Sequence, residues 1–209
     1  NIIIINTQKP ITLIGRKYGS DQIGYYQRAV YLSKIASDTL TMSLTNVAVT
    51  TLSKLRNEPD QYRRFYLKGL SIISFVGMPI SIFMFIMSRD IVRVILGPKW
   101  DQTAIIFSAL GLSTGMYLIY NTNGLLHISL GRSDRFKKWA IIAAAIYLVA
   151  ILIGLAIGVM GVAIAYTTAT FLLVIPCLLY AGRPIGLRII EILSALWRFF
   201  FAATIAGVI

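Results

Sequence analysis

Four polar side chains recur along one apolar stretch of the chain at the spacing of a helix face. Lys34, Asp38, Thr41 and Thr45 stand at positions i, i+4, i+7 and i+11, which places them on one side of an α-helix. A polar stripe of this length does not face lipid, so it lines a water-filled cavity or a polar contact between helices. We favour the cavity. The spacing also allows an ion pair between Lys34 and Asp38.

A second polar stripe lies further along the chain and is rich in tyrosine and asparagine. Its members are Ser113, Tyr117, Tyr120, Asn123 and His127, with Asn121 beside them. Tyr and Asn side chains stack on sugars and hydrogen-bond to them, but they also join transmembrane helices. For each residue alone the helix contact is slightly favoured, whereas the stripe as a whole favours a polar cavity. A milder polar patch follows at Tyr166, Thr167, Thr168 and Thr170.

Three basic residues stand apart from the charged loops: Lys9, Lys34 and Arg198. An ionisable side chain inside a bilayer costs several kcal/mol unless it faces a partner or water. Facing a cavity satisfies that requirement, and so does snorkelling to the membrane surface. Together with the polar stripes, these residues give the candidate substrate-binding set, which is Lys9, Lys34, Asp38, Thr41, Thr45, Tyr117, Tyr120, Asn123, His127 and Arg198.

Enzyme chemistry finds little support in the sequence. Six of the eight carboxylates belong to short loops or helix ends, and no pair is set for acid–base work. P-loop, GxGxxG, HExxH and GxSxG motifs are absent from the sequence. With one His and one Cys, His127 and Cys177, the chain has neither a CxxC metal site nor the ligands of a zinc centre. We therefore expect no enzyme activity, no metal and no cofactor.

The elements that position these residues are membrane-spanning helices. The 209 residues are 57% hydrophobic and 13% charged, with a mean hydropathy of +0.75, whereas soluble domains have about 25% charged residues. Between Lys138 and Arg183, 44 consecutive residues carry no charge, and one membrane crossing needs about 20. The fold class is therefore an all-α polytopic membrane protein, and a soluble or disordered chain is excluded.

The apolar pattern predicts about seven transmembrane helices in a single helical domain over residues 1–209. Their ranges are 2–18, 23–55, 60–88, 102–130, 134–157, 162–181 and 187–209. A short amphipathic segment over residues 90–96 separates the third helix from the fourth, and a glycine turn at residues 158–161 joins the fifth to the sixth. Both ends of the sequence fall inside helices, so we expect a fragment of a longer chain.

The net charge of +12 follows from membrane topology. Eleven Lys and Arg residues, within 54–68, 132–138 and 183–188, fall on one side of the predicted bundle. Six, within 16–28 and 89–99, fall on the other. Basic residues collect in cytoplasmic loops, so the side with eleven is predicted to be cytoplasmic. The same bias explains the charge without a nucleic-acid partner.

Several short motifs resemble those of bacterial polysaccharide and O-antigen flippases of the lipopolysaccharide, colanic-acid and succinoglycan type. They are GRKYG at 15–19, IGYYQRA at 23–29, LSKL at 52–55, YRR at 62–64, Pro79, ILGPKW at 95–100 and GVMGVA at 158–163. Their order and spacing extend over nearly the whole chain. These flippases belong to the multidrug/oligosaccharidyl-lipid/polysaccharide exporter superfamily.

The resemblance implies a protein of two six-helix lobes around a central cavity, of which this chain is the second lobe. Its implied partners are an undecaprenyl-pyrophosphate-linked oligosaccharide substrate, membrane lipids and the missing N-terminal lobe. The implied activity moves that substrate across the bacterial inner membrane by alternating access. Many relatives carry an acidic residue where this chain has Pro10 beside Lys9, which puts ion coupling through that carboxylate in doubt. Two alternatives stay open: a small-molecule or drug exporter of the same superfamily, and a non-transporting membrane scaffold.

Overall fold

The computed structural model describes residues 13–15 and 17–208, with side chains described except at residues 39, 40, 42–47, 206 and 208. Its helices are α1 (Ser20–Lys54), α2 (Pro59–Ile86), α3 (Ser88–Leu96), α4 (Asp101–Ser129), α5 (Ser133–Ile157), α6 (Val159–Gly182) and α7 (Ile189–Val208). Single 3₁₀ turns at Pro98–Trp100 and Arg183–Ile185 lead into α4 and towards α7. Residues 13–15 and 17–18 are also helical.

The described part of the chain contains helices and no strand, which confirms the predicted all-α fold class. Four of its helical stretches are long and apolar enough to cross a membrane: Pro59–Ile86, Pro98–Ser129, Ser133–Ile157 and Val159–Ile185. The protein is therefore a multi-pass membrane protein.

Helix α4 lies at the centre of the bundle and packs against α1, α2 and α6. Glycines let it approach α2 closely, because a Cβ atom on Gly115 would lie 2.5 Å from the carbonyl oxygen of Gly77. At the same crossing the Gly115 amide donates a hydrogen bond of 2.5 Å to the Ser81 hydroxyl. In lipid no hydrophobic effect drives helices together, so membrane helices associate through close packing, which small residues at such crossings allow.

Helices α5 and α6 form a hairpin whose turn is a single residue, Gly158. Its φ of 138° lies in the region that glycine adopts readily, so α6 starts at Val159. The predicted turn at residues 158–161 is longer, and Gly161 instead lies inside α6. There it faces Gly154 of α5, where an added Cβ would lie 2.5 Å from the Gly161 carbonyl oxygen.

The loops that were predicted to share one side of the membrane meet at one end of the bundle. The guanidinium of Arg63 forms an ion pair with Glu191 at 2.6 Å and donates to the carbonyl of Gly186 at 3.3 Å. Arg135 donates to the carbonyl of Tyr180 at 2.6 Å. These contacts join the start of α2 to that of α7, and the start of α5 to the end of α6.

The opposite end of the bundle is joined by a second set of contacts. The Lys17 ammonium and the Tyr18 hydroxyl both donate to the carbonyl of Leu155, at 2.9 and 2.6 Å. Gln22 donates to Gln102 at 3.3 Å, so the starts of α1 and α4 lie beside the end of α5. The grouping of loops on which the topology prediction depends is thus present in the fold.

Candidate functional site

A cleft opens where α1, α4 and α6 meet. It encloses about 60 Å³ of space for water-sized molecules, which is room for a few waters. Its described lining is Tyr26, Val30, Ser33, Lys34, Ser37, Leu110, Ser113, Thr114, Tyr117 and Tyr166. Members of both predicted polar stripes, Lys34 and Tyr117, therefore share this cleft.

Among the described residues that line the cleft, Lys34 is the one with a charged side chain. It is half-buried, whereas Asp38, one turn further along α1, is exposed. Among the described side chains no ion pair joins Lys34 to Asp38, in contrast to the spacing-based expectation. The Lys34 ammonium is therefore available to an anionic group that enters the cleft.

Four hydroxyl groups of the cleft wall use their protons within their own helices. Ser33 donates to Ala29 at 3.0 Å and Ser37 to the carbonyl of Lys34 at 3.1 Å. On α4, Ser113 and Thr114 both donate to the carbonyl of Leu110, at 2.7 and 3.4 Å. A hydroxyl keeps two lone pairs after donating, so each of these groups retains an acceptor; Ser33 is partly exposed, whereas Ser37, Ser113 and Thr114 are buried. Such a wall suits a ligand that carries hydroxyl or amide donors.

The rest of the tyrosine and asparagine stripe lies in a contact between helices. The Tyr120 hydroxyl accepts a hydrogen bond of 3.1 Å from the Trp139 indole of α5. Trp139 in turn stacks on Tyr180 of α6, with ring centroids 5.4 Å apart. Tyr120 is thus held in the packing of α4 against α5 and α6, and it does not line the cleft that contains Lys34.

Asn123 and His127 are buried, with 4% and 2% of their surface exposed. The Asn123 amide donates to the Tyr120 carbonyl at 2.5 Å, and the His127 ring lies 5.4 Å from that of Phe136. The Asn123 Oδ1 and His127 Nε2 atoms have no hydrogen-bond partner among the described residues. The structure places both residues in the helix packing, away from the cleft.

The remaining candidates are separate from the cleft or outside the described part of the chain. Lys9 lies outside the described residues, and so does the side chain of Thr45. Thr41 follows Ser37 on α1 and donates to its carbonyl at 2.8 Å. Arg198 is exposed and borders a different, apolar groove between α2 and α7, with a volume of about 690 Å³. Of the ten candidates, Lys34 and Tyr117 line the cleft, and Asp38 lies close enough to Tyr117 to interact with it electrostatically.

Sequence reasoning missed four polar residues of the cleft wall: Tyr26, Ser33, Ser37 and Thr114. Ser37 follows Lys34 by three positions and was detectable from helical spacing. Thr114 precedes Tyr117 by the same interval and was equally detectable. Ser33 was not, because Ser is common in transmembrane helices and its position beside Lys34 does not tell a cleft from a helix contact. Within the described residues no three His, Cys, Asp or Glu side chains lie close enough to hold a metal ion.

Comparison with known proteins shows to which family the chain belongs. A family model described as "Polysaccharide biosynthesis protein" matches residues 2–105, about half of the chain. The chain belongs to this family. The recognition made from the sequence motifs is thereby confirmed.

Curated relatives of the family extend the match beyond residue 105. The chain is 24% identical over 170 residues to the lipopolysaccharide biosynthesis protein WzxC of Escherichia coli, which covers 81% of the chain and 34% of that protein. It is 25% identical over 127 residues to the teichuronic acid biosynthesis protein TuaB of Bacillus subtilis, which covers 61% of the chain and 26% of that protein. The chain thus spans a quarter to a third of the length of these relatives.

A solved structure shares the fold. The lipid II flippase MurJ in its inward closed conformation superposes with a TM-score of 0.77 at 21% sequence identity. The superposition covers 98% of this chain and 44% of MurJ. The family member described here therefore has the fold of part of MurJ.

Proposed function

We propose that this chain is one lobe of a transporter that flips an undecaprenyl-pyrophosphate-linked oligosaccharide across the bacterial inner membrane for polysaccharide synthesis. The protein acts by alternating access and performs no covalent chemistry on its substrate. The remaining lobe, which would be part of the same full-length polypeptide, would close the cavity opposite α1 and α4. The MurJ-like fold and the relatives in lipopolysaccharide and teichuronic acid synthesis support the transport of a lipid-linked glycan.

The observation that carries the proposal is the composition of the cleft around Lys34. A pyrophosphate cannot cross hydrocarbon unaided, because burying an uncompensated charge costs many kcal/mol. The Lys34 ammonium offsets that charge, and the acceptor oxygens of Ser33, Ser37, Ser113 and Thr114 suit the hydroxyl groups of sugars. The cleft holds only a few waters, so it is a subsite for part of a glycan.

Lys9 and Arg198 complete the proposal as further basic residues of the substrate path. We assign Lys9 to the same cavity on the strength of its position in the sequence. Arg198 borders the groove between α2 and α7, and its guanidinium would meet the substrate on the lipid-facing side. Tyr117, which lines the cleft with Lys34, would contact sugar.

Deletion of the gene tests the proposal against its alternatives. We expect surface polysaccharide to disappear and lipid-linked repeat units to accumulate in the inner leaflet of the inner membrane. Unchanged susceptibility to a panel of drugs is expected alongside. Drug hypersensitivity with normal surface polysaccharide would identify a drug exporter, and normal polymer without any transport defect would identify a scaffold.

A further inference from the structure

Helix α3 (Ser88–Leu96) has more apolar surface than the protein covers. Its buried side is anchored in the bundle by Val92, which has no exposed surface, and by Ser88. Ile95 lies beside that side and is 58% exposed, Val94 lies nearly opposite Val92 and is 86% exposed, and Met87, which precedes the helix, is 37% exposed. The charged residues Arg89, Arg93 and Asp90 fill one sector of the helix surface between Val92 and Val94, Ile95 lies in the other sector, and all three charged residues are exposed. The helix is therefore amphipathic, and it has exposed apolar surface in addition to the side that packs on α4.

The position of α3 relative to the membrane follows from its neighbours. It directly joins the end of one candidate membrane span, Pro59–Ile86, to the start of another, Pro98–Ser129. A segment between the ends of two spans lies at the level of the lipid headgroups. Short amphipathic helices at this level lie in the interface and bury their apolar side among the acyl chains.

The corner between α3 and α4 holds the helix in a fixed direction. Gly97 turns the chain with a φ of 93°, and Arg93 binds both carboxylate oxygens of Asp101, at 3.0 and 3.1 Å. Trp100 at the corner packs edge-on against Tyr25 of α1, with ring centroids 5.9 Å apart. Indole rings favour the interface between lipid and water. The corner thus ties α3 to both α4 and α1.

We propose that α3 is an interfacial helix whose Val94 and Ile95 side chains insert into the lipid monolayer, with Arg89 and Asp90 directed to water. The occupant of the exposed apolar side is thus the membrane itself. The inference does not depend on which substrate the protein transports. It assigns α3 the role of fixing the α2–α4 connection at one membrane surface.

Site-directed spin labelling tests this assignment. Val94→Cys, Ile95→Cys, Arg89→Cys and Asp90→Cys are introduced one at a time into the full-length protein, with Cys177→Ala and every other cysteine replaced. Each labelled protein is reconstituted in phosphatidylcholine and phosphatidylglycerol vesicles. Collision rates are measured with oxygen, which concentrates in lipid, and with a water-soluble nickel chelate. Unchanged thermal stability of each labelled protein is the folding control.

The proposal predicts that oxygen collisions exceed nickel collisions at residues 94 and 95 and that the order reverses at residues 89 and 90. Nickel collisions dominating at all four positions would show that α3 lies in water and would overturn it. Exclusion of both reagents at residues 94 and 95 would overturn it as well, because a protein segment would then cover that side.

Discussion

At the scale of single residues, Lys34 carries the largest share of the proposed chemistry. It is half-buried in the cleft, and the described structure gives it no carboxylate partner. A hydrogen bond to a charged group contributes about 1.5–3 kcal/mol. We predict that Lys34→Ala in the full-length protein lowers polymer export about tenfold or more at limiting substrate, measured as surface polysaccharide per cell.

Two variants control for this effect. Lys34→Arg keeps the charge and is expected to retain most export. Lys99→Ala removes an exposed lysine of the loop before α4 and is expected to export normally. Equal export by Lys34→Ala and Lys99→Ala would contradict the role assigned to the cleft.

Hydrogen bonds between helices are a second feature at this scale. The Tyr66 hydroxyl of α2 lies 2.7 Å from the Thr122 hydroxyl of α4, and both groups are buried. Such bonds between membrane helices contribute about 0.6 kcal/mol on average. A double-mutant cycle with Tyr66→Phe and Thr122→Val should give a coupling of about this size in unfolding measurements on the protein in detergent micelles. Additive effects of the two substitutions would show that the bond contributes nothing.

At the scale of elements, the crossing of α2 over α4 depends on the absence of a side chain at Gly115. We predict that Gly115→Ala destabilises the protein by about 1–3 kcal/mol, the usual cost of overpacking, because its Cβ would meet the Gly77 backbone and the Ser81 hydroxyl. Gly124→Ala on the same helix is the matched control, since a Cβ there meets nothing within 4 Å. Thermal unfolding of the purified protein should separate the two variants, and equal midpoints would contradict the predicted crossing.

The sequence predicts these elements well where charge or glycine marks their ends. The helix expected at residues 23–55 is observed as Ser20–Lys54, and that expected at 134–157 as Ser133–Ile157. The predicted ends of these helices differ from the observed ends by at most three residues, and one difference has a local cause. Met87 ends α2 and immediately precedes α3, so residues predicted as one helix to 88 are divided there.

The candidate site is predicted less well than the helices. Helical spacing placed Tyr117, Tyr120 and His127 on one stripe, yet the neighbours of α4 change along its length. Near Tyr117 the stripe meets α1 and the cleft, whereas near His127 it meets Phe136 and Tyr180 of the adjoining helices. One sequence gives the direction of each side chain on its helix but not the identity of the helix opposite.

At the scale of the whole molecule, the predicted orientation places the loops around residues 54–64, 130–138 and 183–188 in the cytoplasm. Contacts such as Arg63 with Glu191 hold two of these loops together at one end. We predict that a membrane-impermeant maleimide labels Lys99→Cys in intact cells and labels Lys137→Cys only after permeabilisation. Both positions are exposed, and the native Cys177 is buried. The reverse pattern would invert the topology.

The full-length protein is expected to enclose its substrate between this lobe and a second one. The chain superposes on 44% of MurJ and spans a quarter to a third of its curated relatives, and we propose that the cleft around Lys34 forms one wall of the substrate cavity. A cleft of about 60 Å³ would take part of a glycan, and the remaining wall would supply the other contacts.

Transbilayer movement of a lipid-linked oligosaccharide by the purified full-length protein is the most direct test of the central claim. Vesicles containing the protein and a labelled undecaprenyl-pyrophosphate-linked glycan are treated with an enzyme that reaches only the outer leaflet. We predict that nearly all of the labelled lipid becomes accessible with the wild-type protein and that access slows markedly with Lys34→Ala. Accessibility limited to the original outer leaflet with correctly folded wild-type protein would contradict the account.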